Sequence, residues 1–423
     1  MKLKTVGFWT AFTILLSMVT IAGLEFLSSF AVPSWPAREL RPIFITSDVP
    51  STTAHATKPI LSYNSWGVRD WERSTQKPAG VNFRAVLVGD SFLEGGFVDK
   101  PIGAQIEDLW AKAGRRNSEA INLGVSATDP PQYLNRIRNV ALSLQPDAIL
   151  LLFYSGNDFV PEAYSPGEIP PLIAERPMPS WLGTVAPRLT WLAVNRARLS
   201  NVSRATTPID EFQTLNRILE EPLERRYDSL SRFMKQHYLP DMDEVLIRRI
   251  LARAGESFWD TFAKRARDQE YLQGWWITGL VKWEAGSPPD PAADKDIARF
   301  VDQSPLKQTL SWLVGANELA RRHGVKFLIA LAPSAVADPH YNRFWEPWPT
   351  FTRVITKVDA LHSVFRTMLE ANGLPVVDLA DDLRGVPGTY RISDGHWTQL
   401  GTDIAAARLA RELLKLRDGA AAQ

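Results

Sequence analysis

The sequence predicts an α/β protein: a three-layer α/β/α sandwich built on a mostly parallel five-stranded sheet. Five short apolar segments, each the length of one buried strand, recur from residue 81 onward. Longer segments with apolar residues at helical spacing separate them, and this alternation is typical of a parallel sheet covered on both faces. The chain has 423 residues, 45% of them hydrophobic, so it can bury a large core.

The elements follow one another in chain order, in a flavodoxin-like arrangement. The predicted strands are Arg84–Val88, Ala120–Leu123, Asp147–Tyr154, Val325–Leu331 and Pro375–Leu379. The predicted helices are Ile102–Ala113, Gln132–Leu144, Leu306–His323, Val354–Asn372 and Thr398–Leu416. Thr398 is the expected N-cap of the last helix, because a threonine hydroxyl can accept a hydrogen bond from the first helical turn.

The first 31 residues are predicted to form a membrane anchor. Residues 7–24 carry no charge, and 18 helical residues extend about 27 Å, close to the thickness of a bilayer core. Lys2 and Lys4 precede the run, which predicts a single pass through a bacterial inner membrane with the remaining chain on the periplasmic side. A cleaved signal peptide is the alternative. Residues 32–80, rich in Pro, Ser and Thr, are predicted to be a tether with the lead-in Asn64–Asp70.

The α/β pattern is interrupted once. Residues 81–160 and 306–423 form the two parts of the predicted α/β domain, and residues 161–305 show no strand–helix alternation. Proline-rich stretches there flank charged helical segments, of which Leu215–Gln236 and Glu244–Lys264 are examples. We interpret 161–305 as a helical insertion between the third and fourth strands.

Composition excludes several classes of function. The 48 basic and 47 acidic residues give a formal net charge of +1, whereas a nucleic-acid binder has a basic excess. The chain has no cysteine, and none of its six histidines has a zinc-ligand spacing, so no metal or cofactor is expected. The 15 tryptophans fit either a core or platforms that stack on sugars.

A candidate nucleophile follows the first strand. The apolar run ends in Gly89-Asp90-Ser91, and two further glycines precede the next helix. A serine at the carboxyl end of a parallel strand lies where open α/β sheets bind ligands. By itself the tripeptide also fits a turn with a capping serine.

Three further motifs fall at strand ends or just before a helix. Gly124 ends the second strand, and its N–H could bind an oxyanion; Asn157 follows the third strand and offers a neutral side-chain amide. Near the end of the chain, His396 could take the proton of Ser91, and Asp394 could orient the imidazole. The carboxyl ends of parallel strands share one edge of a sheet, so we expect these residues to converge.

Together the four motifs resemble the SGNH hydrolases, the GDSL esterase/lipase superfamily. The resemblance implies that Ser91 is the nucleophile, that Asp394 and His396 complete the catalytic triad, and that the Ser91 N–H, Gly124 and Asn157 form the oxyanion hole. Most members place two residues between the aspartate and the histidine, and here there is one. The sequence Asp394-Gly395-His396-Trp397 is similar to the branch associated with polysaccharide O-acetylation.

Three functions are compatible with these residues. The first is hydrolysis of acyl esters, with acetyl the expected group, on an extracytoplasmic carbohydrate through an acyl-serine. The second is transfer of the acyl group to a sugar hydroxyl from the same site, and the third is an inactive carbohydrate-binding or assembly protein. The expected partners are an acylated carbohydrate or small ester and the membrane; the oligomeric state is left open.

Overall fold

The computed structural model describes residues 2–28, 64, 68–71, 73–126, 128–160, 186, 189, 211–267, 274–286, 303–392 and 395–419. The chain divides into two compact units. One unit contains the N-terminal helix α1 (Lys2–Ser28), and the other contains all the strands and the helices that surround them.

Five parallel strands form a single sheet in the order β2-β1-β3-β4-β5. They are β1 (Phe83–Gly89), β2 (Ser118–Gly124), β3 (Ala148–Tyr154), β4 (Lys326–Ala332) and β5 (Val376–Asp378). The predicted flavodoxin-like order and parallel pairing are confirmed. Every residue of β1 is buried, as expected of a central strand covered on both faces. Because β1 lies between β2 and β3, the loops after these three strands are neighbours at one edge.

The strand-containing unit has thirteen described helices, some of which cover the two faces of the sheet. They are α2 (Ser91–Glu94), α3 (Ile102–Lys112), α4 (Pro130–Asn139), α5 (Glu211–Leu219), α6 (Leu223–His237), α7 (Glu244–Arg253), α8 (Glu256–Arg267), α9 (Gly274–Gly286), α10 (Gln303–Arg322), α11 (Pro339–Trp345), α12 (Pro349–Ala371), α13 (Ala380–Leu383) and α14 (Gln399–Asp418). Helices α3 and α14 pack together, joined by a hydrogen bond from Trp110 Nε1 to the Ala410 carbonyl at 3.0 Å. On the other face α10 packs against α4 and α12.

Three predicted helices are shorter than expected, each for a local reason. The segment 215–236 forms two helices because Pro222 lacks the N–H that would continue α5. The segment 244–264 is divided at Gly255, whose φ of +79° ends α7. The helix predicted over 132–144 ends at Asn139 and is followed by a short 3₁₀ turn, Ala141–Leu144.

The described residues between β3 and β4 form helices and no strand. An aromatic cluster joins this helical region to α11: Phe258 lies 5.7 Å from Trp345 and 5.6 Å from Trp348, measured between ring centroids. Trp110, Trp259, Trp345 and Trp348 are all almost completely buried. These tryptophans therefore belong to the core and are not platforms for sugar rings.

Helix α1 includes the whole segment predicted to cross a membrane. Within the described residues, no helix combines the length and the apolar character needed for a membrane span. The anchor predicted from the uncharged run at 7–24 is therefore not supported.

Candidate active site

The nucleophile candidate occupies the turn between β1 and α2. Gly89 ends β1, Asp90 caps the helix by accepting a hydrogen bond from the Phe92 N–H at 3.0 Å, and Ser91 is the first helical residue. An aspartate at this position satisfies one of the N–H groups that a helix start leaves unpaired. The turn leaves Ser91 half-buried at the edge where the strands end.

Ser91 and His396 lie in hydrogen-bond contact although 305 residues separate them in the chain. The distance from His396 Nε2 to Ser91 Oγ is 2.8 Å. The only other described partner of the hydroxyl is a carboxylate oxygen of Asp90, at 3.5 Å. In the tautomer whose Nε2 is unprotonated, the Ser91 hydroxyl donates to His396. This is the arrangement in which an imidazole can accept the proton of an attacking serine.

Aromatic rings hold the His396 imidazole. Phe92 stacks on it with ring centroids 5.0 Å apart and planes 26° apart, and the Phe97 centroid lies 4.4 Å away. Trp397 packs edge-on against Phe92 at 4.9 Å. Since Phe92 follows Ser91 directly, the stack also fixes the imidazole relative to Ser91.

The loop that carries His396 is closed by backbone hydrogen bonds. The Arg391 N–H donates to the His396 carbonyl at 2.7 Å, and the Gly395 N–H donates to the Arg391 carbonyl at 2.9 Å. Gly395 has a φ of +71°, which a residue with a side chain rarely adopts. On the far side of the loop, Trp345 Nε1 donates to the Ile392 carbonyl at 3.1 Å.

Helix α14 begins directly after this loop. The Thr398 hydroxyl accepts from the Gly401 N–H at 3.3 Å, so the predicted N-cap is confirmed. Asp394, the predicted orienting carboxylate, lies outside the described residues, and its role stays a prediction.

Gly124 ends β2, as predicted, and its backbone N–H has a hydrogen-bond partner within the chain. It pairs with Gly89 across the sheet, and its N–H donates to the Asn122 side-chain oxygen at 2.9 Å, while its oxyanion role stays a prediction. A Cβ on Gly124 would lie 2.3 Å from the backbone nitrogen of Glu94. Position 124 therefore requires a glycine, because α2 approaches β2 too closely to leave room for a side chain.

Asn157 lies in the exposed turn that follows β3. Its backbone N–H contacts the Tyr154 carbonyl at 3.4 Å, which keeps the turn tight. Strand β3 is the neighbour of β1, so this turn adjoins the Ser91 turn at the same edge. The oxyanion role of the Asn157 amide stays a prediction.

Four buried polar residues beneath the nucleophile turn, which we call the inner polar cluster, were not predicted as a site. They are Asp90, Tyr133, Arg136 and Asp158. The Arg136 guanidinium donates to the Gly89 carbonyl at 3.2 Å, and the Tyr133 hydroxyl donates to the Asp158 carboxylate at 2.9 Å. The cluster thus supports the backbone just before Ser91.

Burial dominates the protonation of this cluster. It raises the pKa of Asp90 to about 6 and lowers that of Arg136 to about 10. Burial, and then repulsion from Asp90, raises the pKa of Asp158 well above its ordinary value. Desolvation disfavours the charged form of each of these groups. Of the four residues, only Asp90 and Asp158 lie within motifs that the sequence analysis identified. Tyr133 and Arg136 are polar residues of a helix, and nothing else in the sequence marks them.

The lead-in segment secures the loop after α2. Arg69 is buried, and its guanidinium donates to the Val98 carbonyl at 2.6 Å and to the Asp99 carbonyl at 3.2 Å. Asn122 Nδ2 donates to the carbonyls of Arg69 and Leu93 at 3.1 and 3.0 Å. The lead-in therefore holds the loop that brings Phe97 to His396.

Comparisons with known proteins give structural likenesses only. No protein-family model matches the sequence, and no curated protein matches it significantly. The chain is similar to the crystal structure of a GDSL-like lipase from Bacteroides thetaiotaomicron, with 12% identity, 80% of this chain and 91% of that chain covered, and a TM-score of 0.32. It is also similar to a candidate acylhydrolase from Bacteroides fragilis, with 12% identity, coverage of 86% and 94%, and a TM-score of 0.31. Likenesses of this strength do not define an activity.

Proposed function

We propose that this protein hydrolyses acyl esters through an acyl-serine intermediate on Ser91. The observation that carries the proposal is the 2.8 Å contact between Ser91 Oγ and His396 Nε2 at the carboxyl edge of the parallel sheet. A serine hydroxyl is a weak nucleophile, and an adjacent base that takes its proton makes attack on a carbonyl feasible.

The reaction has two halves. In the first, Ser91 Oγ bonds to the ester carbonyl carbon while its proton moves to His396 Nε2. The tetrahedral intermediate collapses, the alcohol leaves with that proton, and the acyl group stays on Ser91. In the second half, His396 takes a proton from water, the hydroxide attacks the acyl-serine, and the acid leaves as Ser91 regains its proton.

The oxyanion of each tetrahedral intermediate needs preorganised donors. We assign this role to the Ser91 N–H and the Asn157 amide, which belong to neighbouring turns on β1 and β3. The Gly124 N–H is engaged by Asn122 and is left out of the assignment. Removing one such donor typically costs about 100-fold or more in kcat.

For the substrate, we propose acetyl esters of a carbohydrate. The support is the resemblance of Asp394-Gly395-His396-Trp397 to the polysaccharide O-acetylation branch. Trp110, Trp259, Trp345 and Trp348 are buried and offer no stacking surface for such a sugar.

The test compares the full chain with Ser91→Ala and His396→Ala on p-nitrophenyl acetate and an acetylated oligosaccharide. Both variants should lose hydrolysis by about three orders of magnitude or more, since the two groups act as one unit. Intact-mass measurement of the wild type should show a transient acetyl adduct that Ser91→Ala lacks. Undiminished hydrolysis by Ser91→Ala would overturn the mechanism.

Acyl transfer to a sugar is the second candidate, and the same motif resemblance favours it. Incubation with an acetyl donor and an unacetylated oligosaccharide separates the two functions. An acetylated product detected by mass spectrometry would indicate transfer, and free acetate as the sole product would leave hydrolysis.

An inactive binding protein is tested with a fluorophosphonate probe, which should label wild-type Ser91 and fail on His396→Ala.

A further inference from the structure

A second Ser–His–Asp chain lies in the same unit, away from Ser91. The distance from Ser155 Oγ to His362 Nδ1 is 2.7 Å, and His362 Nε2 lies 3.0 Å from Asp378 Oδ1. The other oxygen of Asp378 accepts from Arg366 Nη1 at 2.9 Å. These contacts join the end of β3, helix α12 and the end of β5.

Burial rules out catalysis by this second chain. The exposed fractions of Ser155, His362 and Asp378 are 0%, 1% and 5%, so no ester could reach the serine. All three polar groups are nevertheless mutually satisfied, as buried polar networks must be to avoid a desolvation cost.

The Asp378 carboxylate forms one end of the chain. Burial acts to raise the pKa of Asp378, but the hydrogen bond and charge of His362, the Ala380 N–H and Arg366 hold it below its usual range. The ionised Asp378 accepts a hydrogen bond from His362 Nε2. The Ser155 hydroxyl shares a hydrogen bond with His362 Nδ1 and so continues the chain to the turn after β3.

Ser155 opens the turn that carries Asn157. Its N–H donates to the Ala332 carbonyl at the end of β4 at 3.0 Å, so both its backbone and its side chain are anchored. At the other end of the turn, the Asp158 carboxylate accepts from the Tyr154 N–H at 2.8 Å. Gly156 and Asn157 are the exposed residues between these two anchors.

We propose that Ser155, His362 and Asp378 form a positioning chain that orients the turn bearing Asn157 for oxyanion binding. The proposal rests on the function proposed above. The chain contacts neither substrate nor reacting atoms; it limits the conformations of the turn from inside the protein. Its loss should lower kcat with little change in KM, because the donor matters most once the oxyanion has formed.

The test uses Ser155→Ala, with Ser118→Ala as the matched control. Ser118 is also a buried serine; it begins β2, at the opposite end of the strands, and its hydroxyl has no described hydrogen-bond partner. Ser155→Ala should lower kcat about tenfold, as expected for one lost hydrogen bond in the supporting structure, and Ser118→Ala should leave it unchanged. As a conservative variant, His362→Asn keeps an acceptor for Ser155 and should retain more kcat than His362→Ala.

A double-mutant cycle with Asn157→Ala distinguishes positioning from general destabilisation. If Ser155 acts through Asn157, the Ser155→Ala substitution should have almost no further effect on kcat once the Asn157 amide is absent. An undiminished tenfold effect in the Asn157→Ala background would overturn the proposal.

A readout without turnover separates this proposal from the proposed function. In the full-length protein, the {¹H}–¹⁵N NOE of the Gly156 and Asn157 backbone amides should fall in Ser155→Ala and stay constant in Ser118→Ala. Unchanged NOE values would overturn the positioning chain even if the wild type proves to lack Ser91-dependent hydrolysis. If the wild type hydrolyses esters and Ser155→Ala retains the wild-type kcat, the positioning chain is overturned and the proposed function is not.

Discussion

Replacing Gly124 by alanine separates its packing from the oxyanion role predicted for it, because alanine retains the backbone N–H. The new Cβ would lie 2.3 Å from the Glu94 nitrogen and 2.6 Å from the Leu93 carbonyl carbon. Unstrained contacts between carbon atoms lie near ~3.5 Å, so α2 would have to move by about 1 Å. The obstructing atoms are backbone, and no rotamer change can relieve the clash.

The size of the effect follows from overpacking. Inserting a methyl group into a tightly packed site costs about 1–3 kcal/mol, and we expect about 3 kcal/mol here because the obstruction is rigid. Ser91 begins α2, so the same shift would lengthen its 2.8 Å contact with His396. A misplacement of about 1 Å at a reacting group can lower the rate by about 100-fold.

Urea unfolding and p-nitrophenyl acetate kinetics measure the two effects. Gly80→Ala is the control, since a Cβ at Gly80 would meet no atom within 4 Å. Gly124→Ala should lower both the unfolding midpoint and kcat, and Gly80→Ala should change neither. Wild-type stability in Gly124→Ala would refute the steric reasoning.

Three further predictions concern the surroundings of Ser91. Phe97→Leu removes one ring from His396 and should lower kcat by roughly two- to tenfold, as aromatic pairs contribute about 0.5–1.5 kcal/mol. Burial raises the pKa of Asp90 to about 6 in the folded state, whereas in the unfolded chain it stays near its ordinary value of 3.8. Between about pH 4 and pH 6 the folded state therefore binds a proton that the unfolded state lacks, and the contribution of Asp90 to stability rises as the pH falls through that window. Urea unfolding at pH 4.5 and pH 7.5 measures this gain in the free energy of unfolding, and Asp90→Asn should lack it. Trp345→Phe removes the hydrogen bond to the Ile392 carbonyl and should cost about 1 kcal/mol while lowering kcat.

Each of these has a contrary outcome. A larger effect of Phe97→Leu on KM than on kcat would indicate that Phe97 contacts substrate instead of holding His396. If Asp90→Asn and the wild type showed parallel pH profiles of stability, the raised pKa of Asp90 would be wrong. A wild-type rate and stability in Trp345→Phe would show that the His396 loop needs no support from α11.

Local patterns predicted most of the fold. The strands lie where apolar residues are consecutive, since burial on both faces demands such runs, and Thr398 caps α14 as its side chain predicts. The breaks at Pro222 and Gly255 had local causes too, but helical spacing continues across them and hides the interruption. The tryptophans could not be assigned from sequence, because burial depends on partners such as Phe258 that are distant in the chain.

The sequence by itself determined the parallel α/β sheet and the motifs at its strand ends, because strand periodicity, helix caps and turn residues act over a few neighbouring positions. Tertiary structure alone decided which groups those motifs contact. It places Ser91 and His396, which are 305 residues apart in the chain, at a distance of 2.8 Å, and it pairs the Gly124 N–H with the Asn122 side-chain oxygen. It also joined Ser155, His362 and Asp378 into one buried chain. Hydrogen bonds depend on distances of a few tenths of an ångström, and only the packing of whole helices and strands sets distances that finely.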